Sequence, residues 1–293
     1  MAASFLFGQF VGGLTTAMFL FLIASGLSLV FGVMRVINFA HGSFYMLGAY
    51  IAWQMVQWLT PTGENFWPAA LLAALSVALL GAVTERLLLR FLYGREELYQ
   101  LLFTYALVLI LGDAAKFVWG TSQLSISRPP VLADSIELFG TTVPLYNLFV
   151  MTLGLAIAVG GWRMLSGTGA GRMVRAASID REMLDALGAN VGGIYTGMFA
   201  VSSFLAGLSG ALVTPIVSIV PGMDVEIIVQ AFIVVVIGGL GSFWGTFWGS
   251  LIYGQVLSFG ILIFPGFSLF SVFALMAVIL VVRPWGLLGR PLR

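Results

Sequence analysis

GLSLVFGVMRVINFAHGSFYMLGAY, Gly26 to Tyr50, is two apolar runs joined by a short polar break that holds Arg35, Asn38 and the single histidine of the chain, His41. On both sides of the break the sequence is fit for lipid. A membrane-spanning helix needs about 20 mostly apolar residues, and Phe7 to Phe31 and His41 to Trp58 supply one candidate before the break and one after it. The same alternation then repeats along the chain. Further candidate spans are Trp67 to Phe91, Tyr99 to Trp119, Leu145 to Leu165, Ile194 to Pro215, Glu226 to Leu240, Phe243 to Ile263 and Phe267 to Val282. The glycine-rich break GGLGSFWG, Gly238 to Gly245, reads as a loop, a re-entrant tip or an unwound point in one long helix, so the count is eight or nine. The expected fold is all-α, a polytopic transmembrane helical bundle forming one domain over 1–293.

Composition supports this. Hydrophobic residues make up 60% of the 293 and charged residues 9%, against roughly 25% charged in soluble domains. The N-terminus lacks the basic region and cleavage signature of a signal peptide, so the first run is expected to stay as a helix. There is no cysteine, which removes disulfides, thiolate catalysis and cysteine metal sites. A net charge of +1 excludes a nucleic-acid surface as the main business. No phosphate-binding loop of the G-x-x-x-x-G-K-[ST] type and no nucleophile and base constellation is present, so no catalytic residue or metal site is assigned.

The basic residues set an expected orientation. With nine spans and the N-terminus outside, eleven of the thirteen Lys and Arg fall in inner segments, Arg290 and Arg293 among them, while Lys116 and Arg128 lie near or beyond the outer face. Positive charge in short loops resists translocation. The C-terminus is then cytoplasmic, 121–144 is external, and 167–193 is the large cytoplasmic loop.

Few polar residues interrupt the spans. Asn38, His41, Tyr45, Gly48 and Ala52 would share one stripe of a continuous helix. Three readings stand for Asn38 and His41: hydrogen bonding to neighbouring helices or capping of the span, a break near the membrane edge that lines a substrate route together with Tyr45, and, least of all, catalysis or metal binding by the lone histidine. Gln230, inside the seventh segment, reads equally as an interhelical hydrogen bond or a substrate contact. Asp113 and Lys116 are expected to pair on one helix face in preference to forming a proton relay, Glu85 and Arg86 read the same way, and the Asp224/Glu226 turn reads as a solvated loop in preference to a contact for an outside partner.

RMVRAASIDREMLDALGANVGG, Arg172 to Gly193, interleaves Ala177, Met183, Leu184 and Leu187 with Arg175, Asp180, Arg181, Glu182 and Asp185, which predicts one short amphipathic helix ending near Gly188. Interfacial helices on lipid favour a basic polar face. The balanced charge here favours a protein partner.

Three stretches, Gly26 to Tyr50, Arg175 to Val191 and Ile233 to Gly254, resemble the permease subunits of bacterial ABC importers for branched-chain amino acids, the LivH type, and the likeness extends over nearly the whole chain. Ser43 departs from relatives that carry glutamate there, and Ala189 from relatives with isoleucine. The resemblance implies an ABC importer permease fold in the bacterial cytoplasmic (inner) membrane. It implies a second permease subunit, homologous or identical, two ATP-binding subunits that hold the ATP, and an extracytoplasmic binding protein. The loop would dock on the ATPases through Arg175, Ala177, Asp180, Arg181, Leu184, Leu187 and Gly188. Substrates are expected to be branched-chain or other hydrophobic amino acids. A urea or amide permease of the same group, and a secondary carrier or channel, remain alternatives.

Overall fold

The computed structural model of the chain describes residues 2–59, 65–263 and 265–289. Arg290 and Arg293, counted among the inner charges, lie outside them. The helices in chain order are α1 (Ala2–Met34), α2 (Ala40–Leu59), α3 (Phe66–Leu87) and α4 (Glu97–Trp119). A hairpin of β1 (Ser135–Leu138) and β2 (Thr141–Pro144) follows, then α5 (Leu145–Gly167), α6 (Gly169–Ile179), α7 (Arg181–Ala186) and α8 (Val191–Val213). The chain closes with α9 (Met223–Gly238), α10 (Phe243–Ile263) and α11 (Ser268–Val282). Each of the nine expected segments is therefore helical. Six helices, α1, α3, α4, α5, α8 and α10, are long and apolar enough to cross a membrane. Of the other three, α9 and α11 have 16 and 15 residues, short of a full span.

α1 is the hub. Its 33 residues extend to about 50 Å at about 1.5 Å per residue, well beyond a hydrocarbon core of about 30 Å. Every residue from 17 to 30 is buried, as expected of a helix that is apolar all round. α8 and α10 pack along it, while α2 is enclosed by α8, α3, α9 and α4. The outer helices carry the exposed apolar residues, such as Leu71, Leu75 and Leu79 on α3 and Leu102 and Leu109 on α4. In water such faces would be a liability; toward lipid they are the expected surface.

Where helices meet closely, glycine makes room. A Cβ on Gly48 of α2 would overlap the carbonyl of Gly207 on α8, and one on Gly210 would overlap the Tyr45 carbonyl. Small residues let membrane helices approach backbone to backbone. The break at Gly238 to Gly245 is a turn between two antiparallel helices. Gly239 and Gly241 take φ of 105° and 77°, values that favour glycine, and α9 and α10 then run back to back with Gly249 against the Val234 carbonyl.

The two ends of the bundle differ. At one, the β1–β2 turn packs on the start of α1, with Thr141 Oγ1 donating to the Ser4 carbonyl at 2.5 Å and the Phe7 and Phe139 rings 5.0 Å apart. At the other lie α6, α7 and the turn after α3. α3 ends at Leu87 rather than at the expected Phe91, and a 3-10 turn, Leu89–Leu92, carries the chain to Tyr93.

Candidate functional site

The break between α1 and α2 is real. Arg35 takes φ of 53°, a left-handed conformation, and the chain stays non-helical until Ala40. Asn38 therefore precedes the helix that holds His41, Tyr45, Gly48 and Ala52. Asn38 is 1% exposed and its Oδ1 has no hydrogen-bond partner among the described residues. The link is tied to α4 by Thr104 Oγ1, which donates to the Ile37 carbonyl at 3.3 Å.

His41 is fully buried. Its Nε2 lies 2.8 Å from the Ile23 carbonyl, and since a carbonyl can only accept, Nε2 carries the hydrogen. Nδ1 is 3.4 Å from Ser202 Oγ, whose hydroxyl also lies 2.8 Å from the Gly26 carbonyl. The ring thus ties α2 to α1 and reaches α8.

A cavity of about 420 Å³ opens among α1, α2, α5, α8 and α9, within the roughly 300–1,000 Å³ typical of small-molecule sites. It is lined mostly by apolar side chains, with Tyr45, Asn147, Glu226 and Gln230 as its principal polar groups. Of the four residues expected on a substrate route, Tyr45 and Gln230 meet here. Asn38 and His41 do not line this cavity. Gln230 Nε2 donates to Glu226 Oε1 at 3.2 Å, one helical turn away.

The Asp224/Glu226 stretch is helix rather than loop, and of the two acids only Glu226 is exposed. α9 starts at Met223, three residues before the expected Glu226, because Gly222 in the left-handed region ends the preceding turn and two carboxylates suit the first turn. Asp224 is 3% exposed and accepts from Ser43 Oγ at 2.9 Å. A glycine followed by two acidic residues before an apolar run is a helix-start signal that the sequence did carry.

Glu85 also departs from expectation. It makes no ion pair with Arg86, which is exposed; among the described residues the one ion pair is Lys116 to Asp113 at 3.0 Å, as the spacing predicts. Glu85 is fully buried and accepts from Tyr93 Oη at 2.6 Å and from Thr196 Oγ1 at 2.5 Å. Burial and then the Glu85 hydrogen bond hold the Tyr93 phenol above its usual value.

The 167–193 loop forms two helices rather than one. Asp180 breaks the run: its side chain accepts from the Met183 amide at 2.9 Å and so starts α7. Gly188, with φ of 83°, closes α7 as the amides of Gly188 and Ala189 reach back to the carbonyls of Asp185 and Leu184. The break also divides the apolar positions. Ala177 is buried with Val174 against Tyr195, Met198 and Leu29, and Leu184 is half-buried beside them. Ile179, Met183 and Leu187 are exposed, Leu187 at 77%. Among the charged positions, Arg175, Asp180 and Arg181 are exposed. No group of three His, Asp or Glu suited to a metal occurs among the described residues.

Comparison with known proteins gives a consistent result. Residues 9–282 match the family described as "Branched-chain amino acid transport system / permease component". The chain is 29% identical over 295 residues to the high-affinity branched-chain amino acid transport system permease protein BraD of Pseudomonas aeruginosa, covering 97% of this chain and 95% of that one. It is 28% identical over 306 residues to the LivH protein of the same description from Escherichia coli, with the same two shares. A probable LivH of Methanocaldococcus jannaschii is 28% identical over 252 residues, covering 83% and 77%. No solved structure matches the chain significantly. With the match running from the first third of α1 to the last residue of α11, the chain belongs to the family of permease components of branched-chain amino acid transport systems.

Proposed function

We propose that the chain is the conduit of a binding-protein-dependent ABC importer in the inner membrane, carrying branched-chain amino acids inward, with its N-terminus outside and its C-terminus in the cytoplasm. The observation that carries this reading is the apolar cavity with a few polar groups, bordered by five helices of a chain that belongs to this permease family. ATP is held by two separate subunits, a second permease chain completes the path, and a binding protein delivers substrate from outside. Transport is by alternating access.

The exposed side chains Ile179, Met183 and Leu187 are the apolar part of the surface that docks on the ATPases, with Arg175, Asp180 and Arg181 as charged register around it. Ala177 and Leu184 face the other way and anchor the two short helices to the bundle. Closure of the ATPases pushes α7, and the push reaches α8 through the Asn190 cap and α1 through α6. Asn38, His41, Tyr45 and Gln230 serve the path unequally: Tyr45 and Gln230 in contact with substrate, Asn38 and His41 by holding the α1–α2 link.

Reconstitution with the cognate binding protein and ATP-binding subunits tests the reading. Uptake of leucine, isoleucine or valine that requires ATP is expected. Uptake of urea instead, or transport without any ATPase partner, replaces it. Gly188→Pro forces a ring into a left-handed position and blocks the amide that closes α7. It should lower substrate-stimulated ATP hydrolysis several-fold in the purified complex while the chain still inserts, since the change lies outside every long apolar helix.

A further inference from the structure

The cavity is electrically one-sided. Glu226 stands on its wall, and no Lys, Arg or His is among its lining residues. Gln230 donates to Oε1 of that carboxylate and orients it, which leaves Oε2 with no hydrogen-bond partner among the described residues. Asn147 also lines the cavity, but its Oδ1 is buried and is not presented to a ligand. The amino end of α9, which could otherwise offer positive charge to an anion, already carries Asp224 and Glu226 in its first turn. A helix terminus is worth about half an elementary charge, so two carboxylates more than offset it. The formal charge on this wall is negative only. The rest is apolar, with Leu20, Val213 and Ile227 from three helices, and the Tyr45 phenol supplies a hydroxyl on the α2 side.

We infer that this cavity takes an apolar α-amino acid by its ammonium group, with Glu226 as counter-ion, the Thr16 and Tyr45 hydroxyls as neutral donors for its carboxylate, and the side chain lying on the apolar wall. The inference rests on the importer reading and deepens it, because it makes the carboxylate a determinant of substrate class. A neutral amide such as urea gains no charge pairing from Glu226. An amine-bearing substrate loses a charge-assisted hydrogen bond if Glu226 is neutralised.

The experiment uses the assembled importer in proteoliposomes. Glu226→Gln keeps shape and removes charge, and leucine uptake should fall about tenfold or more, the size expected of a lost hydrogen bond to a charged group. Glu226→Asp should retain most of the uptake. Equal uptake by the wild-type and Glu226→Gln complexes overturns the inference while leaving the importer reading intact. A wild-type complex that takes up none of leucine, isoleucine and valine overturns the importer reading itself. A second measurement guards against loss of assembly in Glu226→Gln. The chain has no cysteine, so in a complex whose partner subunits are made cysteine-free, Val217→Cys on the exposed cavity wall reports alone. Excess leucine should slow its labelling by a neutral maleimide, and should no longer do so when Glu226→Gln is added. Undiminished protection in the double variant overturns the assignment.

Discussion

Glu85 and Glu226 are the same side chain in two opposite settings. Glu85 is sealed between α3, α8 and the turn after α3, with both oxygens taken by hydroxyls. Glu226 stands exposed on a cavity wall with one oxygen taken by Gln230 and the other open. A buried carboxylate that is fully hydrogen-bonded has little left for a ligand and much to lose if disturbed. An exposed one with an open oxygen contributes little to folding and can bind. The comparison separates a structural acid from a functional one by satisfaction of their oxygens, a distinction that depth in the membrane does not make.

Breaking the sealed site should give the largest effect. Glu85→Ala leaves the Tyr93 and Thr196 hydroxyls facing a void, and a loss of about 3 kcal/mol is expected, read as thermal unfolding of the detergent-purified chain. A change no larger than that of a surface substitution would mean that water replaces the carboxylate and that the site is not sealed. Tyr93→Phe removes one of the two donors and should lower stability by about 1 kcal/mol near neutral pH. It should also change the pH response. The phenol value is raised in the folded protein, so its contribution is full below about pH 10, the unfolded value, and is lost as pH rises toward the folded one. The wild-type chain should therefore lose stability above about pH 10 by a step that the Phe variant lacks. Glu226→Gln completes the comparison with the smallest effect, a stability within about 0.5 kcal/mol of wild type in the same assay. A large loss there would make Glu226 a second structural acid.

Much of the bundle was legible in the sequence because apolar runs of span length have few alternatives in lipid. All nine segments became helices, and the Asp113 and Lys116 pair formed because its members are three residues apart. The Glu85 clamp was not legible. Tyr93 lies eight residues away across an irregular turn and Thr196 lies 111 away on another helix, and no local pattern links them. The coupling loop was half legible: Gly188 marked its end, yet Asp180 also fits the polar face of one continuous helix, and only its capping bond to Met183 shows the break. The cavity escaped for a third reason. Its polar groups come one or two at a time from different helices, so that Gln230 looked solitary and Glu226 looked solvated.

The crossing of α2 and α8 at Gly48, Gly207 and Gly210 has a mechanical consequence. Ordinary helix pairs mesh like gears, side chain into groove, and turning one against the other requires several side chains to change rotamer together. At these three glycines the backbones touch with no side chain between them, although Phe44 meets Phe199 elsewhere along the same pair. Such a contact acts as a bearing. It holds the distance between two axes and adds no rotamer barrier of its own to a change in their angle. Tyr45 sits on that contact and on the cavity wall at once, so any swivel at the glycines shifts its ring at the edge of the opening.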